Sequence, residues 1–146
     1  MVAKTTGDSR FEFPARMDSL PLAAGFVESF CDAHGVARAD GLRLTLVLEE
    51  LFTNTVGHGH RGDSAAPVRI GLRAEPTRLV LSYEDGAPAF DPLAYIAQAD
   101  VLADDEFRDE PARSMGLRLV VKMAASVSYR REDGLNRLQL VLLRQA

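Results

Sequence analysis

The 146-residue chain fits one domain, 1–146, long enough to bury a single core and too short for two. Its 47% hydrophobic and 26% charged residues are ordinary for a soluble chain, and no apolar run approaches the roughly 18 residues of a membrane span. A net charge of −4 argues against nucleic acid as a partner, and a lone cysteine, Cys31, excludes an intrachain disulfide framework and a cysteine-based zinc site. The opening stretch MVAKTTGDSRFEF has Thr, Gly, Asp and Ser where a signal peptide needs an apolar core, so a cytoplasmic location is expected.

In chain order, residues 9–16 (SRFEFPAR) alternate weakly, with Phe11 and Phe13 on one face, and predict a short edge strand stopped near Pro14. Residues 18–35 predict an amphipathic helix: Ala23, Phe26, Val27 and Phe30 recur at three-and-four spacing and Gly35 can end it. Residues 39–59 open ambiguously, since Leu42, Leu44, Leu46 and Leu48 alternate as a strand would. Leu44, Val47, Leu48 and Leu51 also make a helical stripe, and the segment exceeds a usual strand, so a second helix ending near Gly57 to Gly59 is expected. Residues 66–86 alternate around AEPT as a hairpin, and a second hairpin is expected over 126–145 around EDGLN. Between them lie a long acidic loop and a helix beginning near Ala112, with Leu117, Val120, Val121 and Ala124 on one side. Strand, helix, helix, two strands, loop, helix, two strands is the order of an α+β two-layer sandwich, with a mixed, mostly antiparallel sheet and its helices on one face.

Three stretches carry candidate chemistry. In EELFTNTVGHGH (49–60), Glu50 and Asn54 lie about 40° apart around a helix, whereas Glu49 and Asn54 lie about 140° apart. A carboxylate and an amide oxygen on one face are hard ligands suited to Mg²⁺ beside phosphates; the carboxylate alternatively orients a nucleophile, and the plain alternative is a solvated helix face. His58 and His60 invite a metal reading, but no further His or Cys completes a zinc set, which leaves local hydrogen bonding or phosphate contact. In YEDGAPAFDP (83–92), an acid at a strand-to-loop corner can accept from an exocyclic amino group, and Gly86 leaves room for a flat ring; Asp-Gly and Asp-Pro are also ordinary turn dipeptides. In EPARSMGLRLV (110–120), Arg113, Ser114 and Gly116 at a helix start make an anion site, or simply an N-terminus capped by Ser114.

In this order the three stretches resemble the N-box, G1 and G2 regions of the Bergerat-type (histidine-kinase-like, GHKL) ATPases, and among them the anti-sigma-factor serine/threonine kinases. EELFTNTVGHGH is similar to that family's E-[AL]-x-T-N-x-x-x-H-[GA]-[HY], EDGAPAFDPL to D-D-G-x-P-F-D-P-L, and residues 114–141 to a motif that runs from G-x-G-L-x-L into a hairpin ending G-x-N-x-L. The likeness covers nearly the whole chain. It implies ATP held between helices and a mobile lid, here about 92–115, with Glu50 as general base and Asn54 on Mg²⁺. Glu84, Asp85 and Gly86 would lie at the adenine, and His58, Arg113, Ser114 and Gly116 would complete the nucleotide site. It further implies an anti-anti-sigma (STAS-domain) protein as substrate, a sigma factor as another partner, and a homodimer.

The chain departs from the family pattern twice. Counted from Gly86, the adenine-binding acid falls at Glu84, one methylene longer than Asp, with Asp85 as substitute. In the G2 region one glycine is replaced by Arg113 or Ser114, or is deleted, which removes a position of free backbone. These departures support a different reading, a non-catalytic regulator with weakened nucleotide use that sequesters a sigma factor or other partner. A phosphotransfer partner of two-component type fits less well, because no His precedes the ATPase-like region on a phosphoacceptor helix.

Overall fold

The computed structural model describes residues 8–102 and 111–145. Within them the elements run β1 (Asp8–Pro14), α1 (Leu20–Ala33), α2 (Arg38–Asn54), β2 (Pro67–Ala74), β3 (Arg78–Asp85), α3 (Pro92–Leu102), α4 (Pro111–Met123), β4 (Ser126–Glu132) and β5 (Leu135–Leu143). The sheet order is β1-β2-β3-β5-β4, and the four pairings it contains are antiparallel rather than mixed. The crossover through α3 and α4 does bring β4 back in the direction of β3, but β5 slots between them, so these two same-direction strands never become neighbours.

The inner sheet face buries Val68, Ile70, Leu72, Leu79, Leu81, Leu140 and Leu142 against helices α1, α2 and α4. Leucine alternation along α2 is resolved in favour of the helix: Leu44, Val47, Leu48 and Leu51 are buried, while Leu42 and Leu46 are 55% and 40% exposed. Phe52 on the same helix is fully buried, worth about 1.5–3 kcal/mol relative to exposure. The hairpin β4–β5 turns through Asp133 and Gly134 at φ 55° and 76°, the two positive angles of a type I′ turn, which Gly accepts without strain.

Sequence and structure part company over 92–115. Pro92–Leu102 is helical where a loop is expected, because the Asp-Pro pair acts as a helix start: Asp91 Oδ1 accepts the N–H groups of Leu93 and Ala94 at 2.9 and 3.3 Å, and Pro92 takes the first helical position. Helix α4 likewise begins at Pro111. The centre of the expected lid, residues 103–110, lies outside the described residues. Among the described residues, no helix is long and apolar enough to cross a membrane.

Candidate functional site

Two adjoining cavities open where the C-terminal part of α2 meets the end of β3 and the start of α4. The sheet-side cavity, about 30 Å³, is lined by the apolar walls Leu51, Leu117, Leu138 and Phe90 and by the polar groups of Asp85 and Asn136. The helix-side cavity, about 240 Å³, is lined by Glu50, Thr53, Asn54, Gly57, His58, Arg113 and Leu117. Asn54, Arg113 and Leu117 line both and form the wall between them.

On the sheet side, strand alternation decides which acid enters. Tyr83 and Asp85 point inward beneath the helices, and Glu84 between them points to the outer face, paired with Arg137 Nε at 2.8 Å and Arg69 Nη1 at 3.7 Å. Glu84 is therefore not at the cavity, and the acid that lines it is Asp85, 8% exposed. Gly86 is exposed and turns beside Leu135, so Ala87 and Pro88, not Gly86, reach the cavity. Counting back five residues from Phe90 in the D-D-G-x-P-F-D-P pattern lands on Asp85, whereas anchoring the pattern on Gly86 gives Glu84.

Asp85 is held from both sides. Its Oδ1 accepts from Asn136 Nδ2 at 2.9 Å and from the Ala87 N–H at 3.1 Å, and its Oδ2 accepts from the Thr55 hydroxyl at 2.8 Å. Asn136 is itself fixed, its Oδ1 accepting the Phe90 N–H at 3.0 Å and the Tyr129 hydroxyl at 2.7 Å, while its Nδ2 also reaches the carbonyls of Ala87 and Pro88. Tyr83 OH lies 2.7 Å from Thr55 Oγ1; burial pushes its hydroxyl well above its ordinary value, opposed by the bond to Thr55 and helped by the Asp85 charge. Sequence reasoning missed Thr55, Tyr83 and Asn136. The Asn of G-x-N-x-L was the available signal for Asn136; Thr55 and Tyr83 gave none, since their role depends on a contact between α2 and β3.

Thr55 reaches Asp85 because α2 does not simply stop. Thr55–Gly59 form a π turn, with the His60 N–H bonded to the Thr55 carbonyl at 2.8 Å, and Thr55 and Val56 stay buried. Gly59 meets Ala87 closely: a Cβ at 59 would lie 2.8 Å from that of Ala87. This contact seats the turn after β3 against the helix end.

On the helix side, Glu50, Asn54 and His58 share one cavity, as their helical spacing predicts, and α4 closes it. Arg113 Nε donates to Asn54 Oδ1 at 2.7 Å, and its guanidinium stacks 4.1 Å from the Phe90 ring centre and 5.0 Å from that of Tyr95. Gly116 abuts Glu50, since a Cβ there would stand 2.1 Å from Oε1. Ser114 is not an N-cap: α4 starts three residues earlier, with Pro at its first position, and the Ser114 Oγ accepts from Arg118 Nε at 3.2 Å.

Comparison with known proteins agrees with this fold. The chain is 30% identical over 97 residues to the serine/threonine-protein kinase BtrW of Bordetella bronchiseptica, a match spanning 66% of each protein. In fold it is similar to the RsbU and RsbW domains of Rv1364c from Mycobacterium tuberculosis (TM-score 0.65, 13% identity), covering 95% of this chain and 33% of that longer one. The SiaB-SiaC complex from Pseudomonas aeruginosa contains a similar chain (TM-score 0.62, 12% identity), with 96% of this chain and 92% of that one covered. Residues 13–142 match the histidine kinase-like ATPase domain, and the chain belongs to that family.

Proposed function

We propose that the chain is an ATP-dependent serine/threonine protein kinase acting as an anti-sigma regulator, with an anti-anti-sigma STAS-domain protein as substrate and a sigma factor as a further partner. The observation that carries this reading is the shared wall: Glu50 and Asn54 open into one cavity, separated only by Asn54, Arg113 and Leu117 from the pocket of Asp85. The donor set fits a nucleotide. A buried carboxylate among apolar walls suits an aminopurine, and an amide oxygen beside a carboxylate suits a hard cation. Asn54 Oδ1 would hold Mg²⁺, which supplies neutralisation of phosphate charge, with His58 and Arg113 toward the phosphates.

In the reaction the acceptor hydroxyl oxygen bonds to the γ-phosphorus, the bond from that phosphorus to the β–γ bridging oxygen breaks, and ADP leaves. Glu50 takes the hydroxyl proton, and its placement against Gly116 holds the carboxylate in the helix-side cavity. Arg113 and a metal ion would alternate on Asn54 Oδ1, because two cations at one oxygen repel. A cytoplasmic homodimer completes the proposal; the outer sheet face, with Arg10, Ser82 and Glu84, is the surface no helix covers among the described residues.

The test is calorimetry of Mg·ATP binding, followed by transfer of labelled γ-phosphate to a STAS partner. Glu50→Gln is expected to keep binding and to lose transfer by about 10²–10⁴-fold; undiminished transfer would remove Glu50 as base. One observation favours a second reading. The sheet-side cavity is only about 30 Å³, with Arg113 seated on Asn54, as a nucleotide-weakened regulator would have it. Wild type that binds no ATP at millimolar concentration would decide for that regulator.

A further inference from the structure

The pocket of Asp85 has a feature that the adenine reading does not require: a buried hydroxyl pair behind the carboxylate. The inference rests on the nucleotide reading above and specifies how the base is chosen. Thr55 Oγ1 lies within hydrogen-bond distance of three oxygens, Leu51 O at 3.1 Å, Tyr83 OH at 2.7 Å and Asp85 Oδ2 at 2.8 Å. Its single proton can serve one of them. Leu51 O and Asp85 Oδ2 only accept. If Thr55 donated to Tyr83, the buried Tyr83 proton would lose its acceptor, and the Thr55 oxygen would face a carboxylate with no proton between them. Tyr83 must therefore donate to Thr55, and Thr55 to the stronger, charged acceptor Asp85.

Asn136 is equally constrained. Its carbonyl oxygen already accepts from Phe90 N–H and Tyr129 OH, so its amide nitrogen faces Asp85. Asp85 thus receives three donors, Thr55, Asn136 and Ala87 N–H, and offers none. Of about four acceptor positions on a carboxylate, three are taken. The remaining one is on Oδ2.

We infer that Tyr83 and Thr55 are positioning residues that order the protons behind Asp85, keep it a pure acceptor, and so make the pocket select a base with an exocyclic amine over its 6-oxo counterpart. A 6-amino group supplies the proton the last position needs. A 6-oxo group brings a lone pair against it, and a polar pocket rejects such a mismatch strongly.

ATP and inosine triphosphate differ at this position and serve as probes. Calorimetry on the full chain is expected to give wild type a preference for ATP of at least about 100-fold. Thr55→Val removes the donor that anchors Oδ2, so that oxygen can turn from the 6-position and a water can bridge to a 6-oxo base; the preference should fall about tenfold. Tyr83→Phe removes the donor that fixes the Thr55 hydroxyl in line with Asp85 and should lower it about threefold, while Thr55→Ser, which keeps the hydroxyl, should retain it. A purely structural role would weaken both nucleotides together and leave their ratio unchanged, and that outcome in Thr55→Val and Tyr83→Phe overturns the relay. The two variants check each other if one fails to fold. Wild type that binds neither nucleotide overturns the kinase reading and the relay with it; wild type that binds ATP while the ratio stays fixed across variants overturns the relay alone.

Discussion

The two sides of the site are built on different principles. Around Asp85 the polar atoms are paired by groups from the π turn after α2 and from β3, β4 and β5, and the cluster is buried against the sheet. Around Asn54 and Glu50 the contacts described come from α4, among them a hydrogen bond from an arginine stacked on two rings and a glycine against a carboxylate. A satisfied buried network is costly to rearrange, whereas an arginine exchanging one acceptor for another loses little. The lesson is a division of labour: the Asp85 side is preorganised and the Asn54 side is exchangeable.

The largest expected effect breaks the preorganised side. Asp85→Asn places an amide where three donors converge, so either Thr55 or Asn136 meets a donor instead of an acceptor. ATP affinity should fall at least about 100-fold, and stability by about 1–3 kcal/mol in a denaturant titration; an unchanged ATP affinity would contradict the assignment of Asp85 to the base. Next comes Gly116→Ala, which pushes on the end of the Glu50 side chain rather than on backbone. Phosphoryl transfer should drop about tenfold through misplacement of the base, while the midpoint of thermal unfolding holds or rises, since Ala is favoured over Gly inside a helix by about 1 kcal/mol. Equal loss of stability and transfer would mean that α4 itself is disrupted.

The smallest effect sharpens the exchangeable side. With Arg113→Ala, Asn54 Oδ1 no longer has a competing cation, so the Mg²⁺ concentration for half-maximal nucleotide binding should fall about threefold. In EDTA the same variant should bind ATP about threefold more weakly, for want of a phosphate contact. No change in the Mg²⁺ requirement would show that the Arg113–Asn54 bond does not compete with metal.

How much of this was legible depended on whether a residue's role is local or long-range. Glu50 and Asn54 share a cavity because helical geometry alone sets their face, His58 joins them from the π turn, and both hairpins follow from alternation and turn chemistry. Asp85 was displaced by Glu84 because the pattern was anchored on a glycine, although the in-out alternation of Tyr83, Glu84 and Asp85 already excluded two adjacent acids from one pocket. Thr55 and Tyr83 are 28 positions apart and meet only once α2 lies across β3. Helix α3 was hidden because Asp-Pro serves a turn and a helix start equally well, and the choice fell to the residues that follow.

The two-residue turn at Asp133–Gly134 has a consequence well beyond its size. Strand parity runs from it into β5, so Asn136 faces Asp85 and Arg137 faces the outer sheet, where it meets Glu84. A register slip of one residue would exchange them, burying a guanidinium beneath the Asp85 cavity and sending the amide to the outside. The hairpin tip is the ruler that sets which side chain stands against Asp85, and the tightness of a turn becomes a condition of the cavity's chemistry.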